Sequence, residues 1–192
     1  MQISKGLLDY HGRPWLLEQL ERLKKTGTTR TLIVLGYRAN EYLEQIPSLI
    51  SEMGKTVLIN HQPEFGPFSS IQTGIRLARA CAPDEEPRPI FILPIDVPCP
   101  QMATWEVLEE ELRVSVDVVL PTLDGTTGGH PVLLSAYFQN ILLDLLPSHP
   151  DARLDFQIKQ LGPEGVKKAA VLDPEIKMNL NTPNDWERFA QI

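Results

Sequence analysis

Residues 90–100 read IFILPIDVPCP, and no other stretch limits the choice of fold as sharply. Four of the first five residues are large and apolar, and prolines bound the run. That is the pattern of a short strand buried on both faces. It ends in an acid, Asp96, followed by a turn that Pro98 and Pro100 stiffen. In an open α/β sheet, ligands sit outside the carboxyl ends of the strands, so Asp96 faces the crevice. A carboxylate there can hold a divalent cation against phosphate oxygens. Equally, it can cap the helix that follows. The stretch alone leaves both readings open.

The remaining chain alternates strand and helix signals. Pro14 suits a first helical turn, and Trp15, Leu16, Leu20 and Leu23 recur at helical spacing up to Gly27. Residues 31–35 (TLIVL) read as a buried strand ended by Gly36. Asn40 is placed to cap the next helix, which Pro47 interrupts, and residues 57–60 read as another strand. In NHQPEFGPFSSIQTGIRLARA, Ser69 and Ser70 stand where a helix should begin. Their hydroxyls, with free N–H groups of a helix terminus, suit a nucleobase edge or an anion, while a plain N-cap serves as well. Gly74 inside that helix costs roughly 1 kcal/mol against alanine, which implies a close neighbour. Further on, 102–112 reads as a helix whose Glu109–Glu111 run is a solvated face, and 116–120 reads as a strand. Gly128 and Gly129 allow positive φ or close approach of a ligand, and His130 either touches a phosphate or base or is fixed by loop hydrogen bonds. Residues 135–146 form an amphipathic helix, and 148–165 are polar with no defined element. Residues 168–172 and 177–180 read as short strands before a last helix capped by Asn181 or Thr182 and started by Pro183. Such alternation predicts a three-layer α/β/α fold with a mainly parallel sheet.

Composition narrows the function classes. The 192 residues suffice for one sizeable core, no linker divides them, and 42% apolar with 22% charged residues is ordinary for a globular domain. A net charge of −7 argues against a broad nucleic-acid surface and leaves a small phosphorylated substrate open. Cys81 and Cys99 lack metal-ligand spacing. With no signal peptide or long apolar run, a cytoplasmic protein without membrane partners and with two free thiols is expected.

Several stretches together resemble the MobA-like nucleotidyltransferases. They are Lys5-Gly6-Leu7-Leu8 with Gly12-Arg13-Pro14, then Gly66 with Ser69-Ser70 and Gly74, then PIDVP (94–98), Gly129-His130-Pro131 and NLNTPND (179–185). Order and separation agree along almost the whole chain, pointing to a single Rossmann-like nucleotidyltransferase domain over 1–192. The resemblance is greatest to molybdenum-cofactor nucleotidylyltransferases; GHP leans to the cytidylyl branch and NLNTP to the guanylyl branch. It implies Mg²⁺-dependent transfer of a nucleotidyl group from CTP or GTP to a molybdopterin-like or other phosphorylated acceptor, with release of pyrophosphate. By the same resemblance, Asp96 matches the metal-binding aspartate, and Asn179 or Asn181 the second metal-ligand position. Lys5 matches a lysine that meets the triphosphate, where positive charge steadies an increasingly anionic α-phosphate. Ser69, Ser70 and Gly74 match the base-reading stretch, and Gly129 and His130 the substrate side. A sugar-phosphate nucleotidyltransferase shares the fold and metal logic and is an alternative, and exposed sheet edges make a homodimer an expectation.

One departure is large. The family opens with a strand and a Gly-rich, arginine-containing loop that cradles the triphosphate, and here only residues 1–5 match its tail. Without that strand the sheet is expected to carry a gap with unpaired inner edges. A longer native protein, or a non-catalytic nucleotide- or partner-binding relative, would each account for the departure.

Overall fold

The structure, a computed structural model, describes residues 4–28, 30–113 and 115–191. After a 3-10 turn at Lys5–Leu7 comes a small hairpin, β1 (Asp9–Tyr10) and β2 (Arg13–Pro14), leading into α1 (Trp15–Lys24). Then follow β3 (Ile33–Leu35), α2 (Ala39–Gln45), β4 (Val57–Ile59), α3 (Gly66–Ala80), β5 (Ile90–Ile92) and α4 (Met102–Glu111). The second half holds β6 (Val118–Thr122), β7 (Val132–Leu134), α5 (Ala136–Asp144), α6 (Leu154–Gln160), α7 (Gly162–Gly165), β8 (Val166–Ala170) and α8 (Pro183–Ala190). None of the described helices is long and apolar enough to cross a membrane.

Two sheets result. β3 and β4 pair in parallel, while β5, β7, β6 and β8 form a four-stranded sheet in that order. In the larger sheet β5, β6 and β8 run in one direction and only β7 runs against them. The register Ile90–Leu134–Val118 sits beside Phe91–Leu133–Val119. Because side chains alternate across a strand, the first set faces α3, α5 and α6, and the second faces α4. The packing follows this alternation. Val118 and Leu134 join Phe68, Ile75, Phe138 and Leu142 in one cluster, and Val119 and Leu133 join Leu108 in another. Helices therefore cover both faces, the three layers expected for an α/β/α fold.

Several expectations shift. β5 is only half-buried, because its second edge opens into a cleft towards β3 rather than meeting a strand. The helix carrying Ser69 and Ser70 starts earlier, at Gly66 with Pro67 in its first turn, so neither serine is its N-cap. Asn40 lies inside α2, which Arg38 precedes in the left-handed region at φ 61°. Residues 177–180 are not a strand: Asp173 accepts from the Glu175 N–H at 3.0 Å, and Pro174 starts a 3-10 turn that reaches Lys177. The polar stretch 148–165 holds two helices, because Leu154, Ile158 and Leu161 present one apolar stripe to the cluster around Leu142. Thr182 caps α8 in a capping box with Asp185, as its spacing implies.

Candidate functional site

Asp96 sits just beyond β5, and every flanking carbonyl has a partner from another element. Trp15 and Gln19, one turn apart on α1, reach the same loop. The Trp15 indole donates to the Ile95 carbonyl at 2.8 Å. The buried Gln19 amide donates to the Val97 carbonyl at 2.7 Å and accepts from the Cys99 N–H at 2.9 Å. From the C-terminal side, the Leu180 N–H donates to the Asp96 carbonyl at 2.8 Å. The loop thus holds its carboxylate on a frame fixed from two directions. That frame also brings Asn181 next to Asp96, although the two are far apart in sequence.

Lys5 completes the cluster. Its ammonium donates to Asp96 Oδ2 at 2.8 Å and to Asn181 Oδ1 at 2.5 Å. The 3-10 turn that carries it is wedged in place, since a Cβ on Gly6 would fall 2.7 Å from Tyr42 Cε1. The Gly6 N–H also donates to the Tyr42 hydroxyl at 3.1 Å, and burial pushes that phenol up from its ordinary value. Asn179 stays apart: its amide donates to the Lys177 carbonyl at 3.4 Å.

Gly129 and His130 precede β7, with His130 near Asp96. A Cβ on Gly129 would overlap the carbonyl oxygen of Ile176, so close approach fixes this glycine. His130 donates its backbone N–H to that same carbonyl at 3.0 Å. Its Nδ1 is buried with no partner among the described residues. Burial holds the imidazole below its ordinary pKa, and the nearby Asp96 carboxylate and a hydrogen bond to the Ile92 backbone oppose that only in part. His130 is therefore a neutral ring at pH 7 whose buried Nδ1 is the nitrogen left without a partner among the described residues.

Ser69, Ser70 and Gly74 are on α3, and Ser70 and Gly74 line the cleft between β3 and β5. Ser69 is buried; its hydroxyl faces the Gly66 and Gln62 carbonyls at 2.8 and 3.0 Å and accepts from the Asn60 amide at 2.8 Å. That hydroxyl is committed to shaping the turn. Ser70 also accepts from Asn60, at 3.0 Å, but lines the cleft close to Gly36 at the carboxyl end of β3. At Gly74 an added Cβ would sit 3.4 Å from Val34 Cγ2, the close neighbour its place in a helix implied. The structure thus joins Lys5, Asp96 and Asn181 directly and sets His130 beside them. It leaves Asn179 outside and puts Ser70 on the cleft beside β3. Sequence reasoning missed Trp15, Gln19, Asn60 and Tyr42; a glutamine on the apolar face of α1 was the available signal for one of them.

Among the described residues no three His, Cys, Asp or Glu side chains converge as a metal site. Two oxygens do converge, from Asp96 and Asn181, and a cation, the Lys5 ammonium, already lies between them. Such a hard-oxygen pair fits a divalent ion completed by phosphate oxygens and water.

Comparison with known proteins identifies the family and the fold. The family model described as MobA-like NTP transferase domain matches residues 1–161. A probable mannose-1-phosphate guanylyltransferase of Oryza sativa subsp. japonica is 28% identical over 97 residues, which are 50% of this chain and 26% of the relative. The match thus spans about a quarter of that relative's length. Among solved structures, a nucleotidyl transferase from Methanothermobacter superposes with a TM-score of 0.74 at 20% identity, over 98% of this chain and 84% of the other. A Mycobacterium tuberculosis protein solved as a manganese complex gives a TM-score of 0.68 at 18% identity, over 97% and 91% of the two chains. At these identities the superpositions establish the fold alone.

Proposed function

The chain belongs to the MobA-like NTP transferase domain family, and from that premise we propose that it transfers a nucleotidyl group from a nucleoside triphosphate to a phosphorylated acceptor. The observation that carries this reading is the convergence of Asp96 Oδ2 and Asn181 Oδ1 on one cationic centre at the carboxyl end of β5. Asp96 and Asn181 would hold a divalent cation, Mg²⁺ or Mn²⁺. When bound, that ion would neutralise charge on the phosphate oxygens. Lys5 has a partly exposed side chain and supplies a positive charge to the phosphoryl group. His130, kept neutral, donates to or accepts from the acceptor without adding charge beside Asp96. Trp15 and Gln19 orient the Asp96 loop. Ser70, with the small residues Gly36 and Gly74 nearby on the cleft, would leave room for a planar base. Little covalent chemistry is asked of the protein, so positioning and charge carry the rate.

The matched rice protein is named for guanylyl transfer to mannose 1-phosphate. That name favours GTP and a sugar 1-phosphate over CTP and molybdopterin. The test is pyrophosphate release in a matrix of GTP or CTP against mannose 1-phosphate or molybdopterin, with Mg²⁺, with Mn²⁺ and with chelator. Metal-dependent release with one nucleotide–acceptor pair, at least about 100-fold weaker in Asp96→Ala, is expected. Turnover that ignores both the metal and Asp96 would refute the assignment.

A further inference from the structure

Trp15, Gln19 and Arg22 stand at i, i+4 and i+7 on α1, so one stripe of the helix carries all three. The first two hold the carbonyls on either side of Asp96. Arg22 reaches the segment that brings Asn181. Its Nη1 donates to Glu175 Oε1 at 3.1 Å, within the 3-10 turn Pro174–Lys177 that precedes Leu180 and Asn181. That turn is also tied to the chain after Asp96, since Asp173 accepts from the Gln101 N–H at 2.7 Å. Downstream of Asn181, Trp186 and Phe189 of α8 pack on Trp15 with ring centres 5.3 Å away in each case. Asn181 is thus bracketed on both sides by contacts to one face of α1.

Arg22 is itself firmly seated. Its Nε donates to Glu18 Oε1 at 3.0 Å and its Nη2 to the Tyr10 hydroxyl at 3.1 Å. The guanidinium carbon lies 5.4 Å from the ring centres of Trp15 and Phe189 and 5.6 Å from that of Tyr10. A planar cation stacked on rings and forked between carboxylates has one geometry, which a flexible ammonium would lack. An exposed ion pair would position nothing, but the Arg22 and Glu175 side chains are only 21% and 24% exposed. The Leu180 N–H bond to the Asp96 carbonyl pins the C-terminal segment at one point. Glu175 supplies a second point, so the segment cannot pivot about the first and carry Asn181 Oδ1 away.

We propose that Arg22 is a positioning residue for the cation site: through Glu175 it sets where Asn181 stands relative to Asp96, and so the affinity for a metal-bound nucleoside triphosphate. The inference rests on the reading of Asp96 and Asn181 as the residues that hold the cation. The probe is the preformed Mn²⁺ complex of GTP or CTP, whichever the unaltered protein binds more tightly, titrated by water-proton relaxation. Calorimetric titration of the same nucleotide with chelator gives the metal-free affinity. Arg22→Met should weaken binding of the Mn²⁺ complex at least about tenfold, the scale expected of groups that orient a metal's ligands. Glu175→Gln breaks the same contact while leaving Arg22 on its rings, and decides the matter if Arg22→Met does not fold. Metal-free affinity should change less than about twofold in both variants, and in an Asn181→Ala background neither should weaken the Mn²⁺ complex further by more than about twofold. A general loss of structure would instead lower both affinities and add to Asn181→Ala. That pattern, or full Mn²⁺-complex binding by Glu175→Gln while Asp96→Ala loses it, would overturn the inference alone. Undiminished binding by Asp96→Ala, or no metal-dependent binding by the unaltered protein, would overturn the cation-site reading along with it.

Discussion

Replacing Gln19 by leucine tests whether α1 fixes the Asp96 loop. The side chain is 3% exposed, and its amide serves two buried backbone groups, the Val97 carbonyl and the Cys99 N–H. Leucine nearly preserves the volume, so little cavity forms, but both groups lose their partner. An orphaned buried polar group costs about 1–3 kcal/mol, so the pair costs about 2–6 kcal/mol. Removing the amide's own burial penalty offsets part of this, and a net loss of about 3 kcal/mol is expected. Against a total of about 5–15 kcal/mol that is a large fraction. For a chain of this size it lowers Tm by about 6–12 °C. Urea unfolding at pH 7.5 measures it through the midpoint at unchanged slope, beside a calorimetric Tm. Pyrophosphate release should fall further than the folded fraction explains, because the carboxylate moves with its loop. A loss below about 0.5 kcal/mol would mean that water or a rearranged loop satisfies both groups, and the positioning role would be wrong.

Three further outcomes follow from the same geometry. His130 is held below its ordinary pKa by burial, so as pH falls below about 6.5 the unfolded chain takes up a proton before the folded one does. Stability should therefore decline from pH 7 downward, and urea midpoints of His130→Gln should decline less over that window. Gly129→Ala forces a Cβ onto the Ile176 carbonyl and should cost about 1–3 kcal/mol by thermal melting, with weakened metal-dependent activity because Asn181 lies just downstream. Cys99, buried with its thiol pushed up to about 12, should resist a thiol-directed disulfide reagent at pH 8 until the chain unfolds, whereas the exposed Cys81 reacts at once. Labelling of both thiols in the native protein would contradict the burial of Cys99.

Local patterns carried much of the outcome. The apolar run before Asp96, the helical spacing of Trp15, Leu16, Leu20 and Leu23, and the Thr182-Pro183 start of α8 all act over a few residues, and each appears near where its pattern put it. Asp96 as a strand-end acid, and Gly74 and Gly129 as points of close approach, were legible for the same reason. Tertiary structure decided the rest. Residues 177–180 have apolar content enough for a strand, yet the Asp173–Pro174 cap turns the chain and the Leu180 N–H pairs with the Asp96 carbonyl instead. Leu154, Ile158 and Leu161 read as isolated apolar residues in a polar stretch until the cluster around Leu142 gives them a face to cover. Ser69 and Ser70 look equivalent, but burial commits one hydroxyl to the backbone and leaves the other on the cleft. Asn181 rather than Asn179 meets Asp96 and Lys5, and Gln19 holds their loop, through contacts that no local spacing encodes. Periodicity and turn chemistry are short-range, so the sequence by itself determined the elements and the acid at a strand's end. Which side chains converge there depends on how those elements pack.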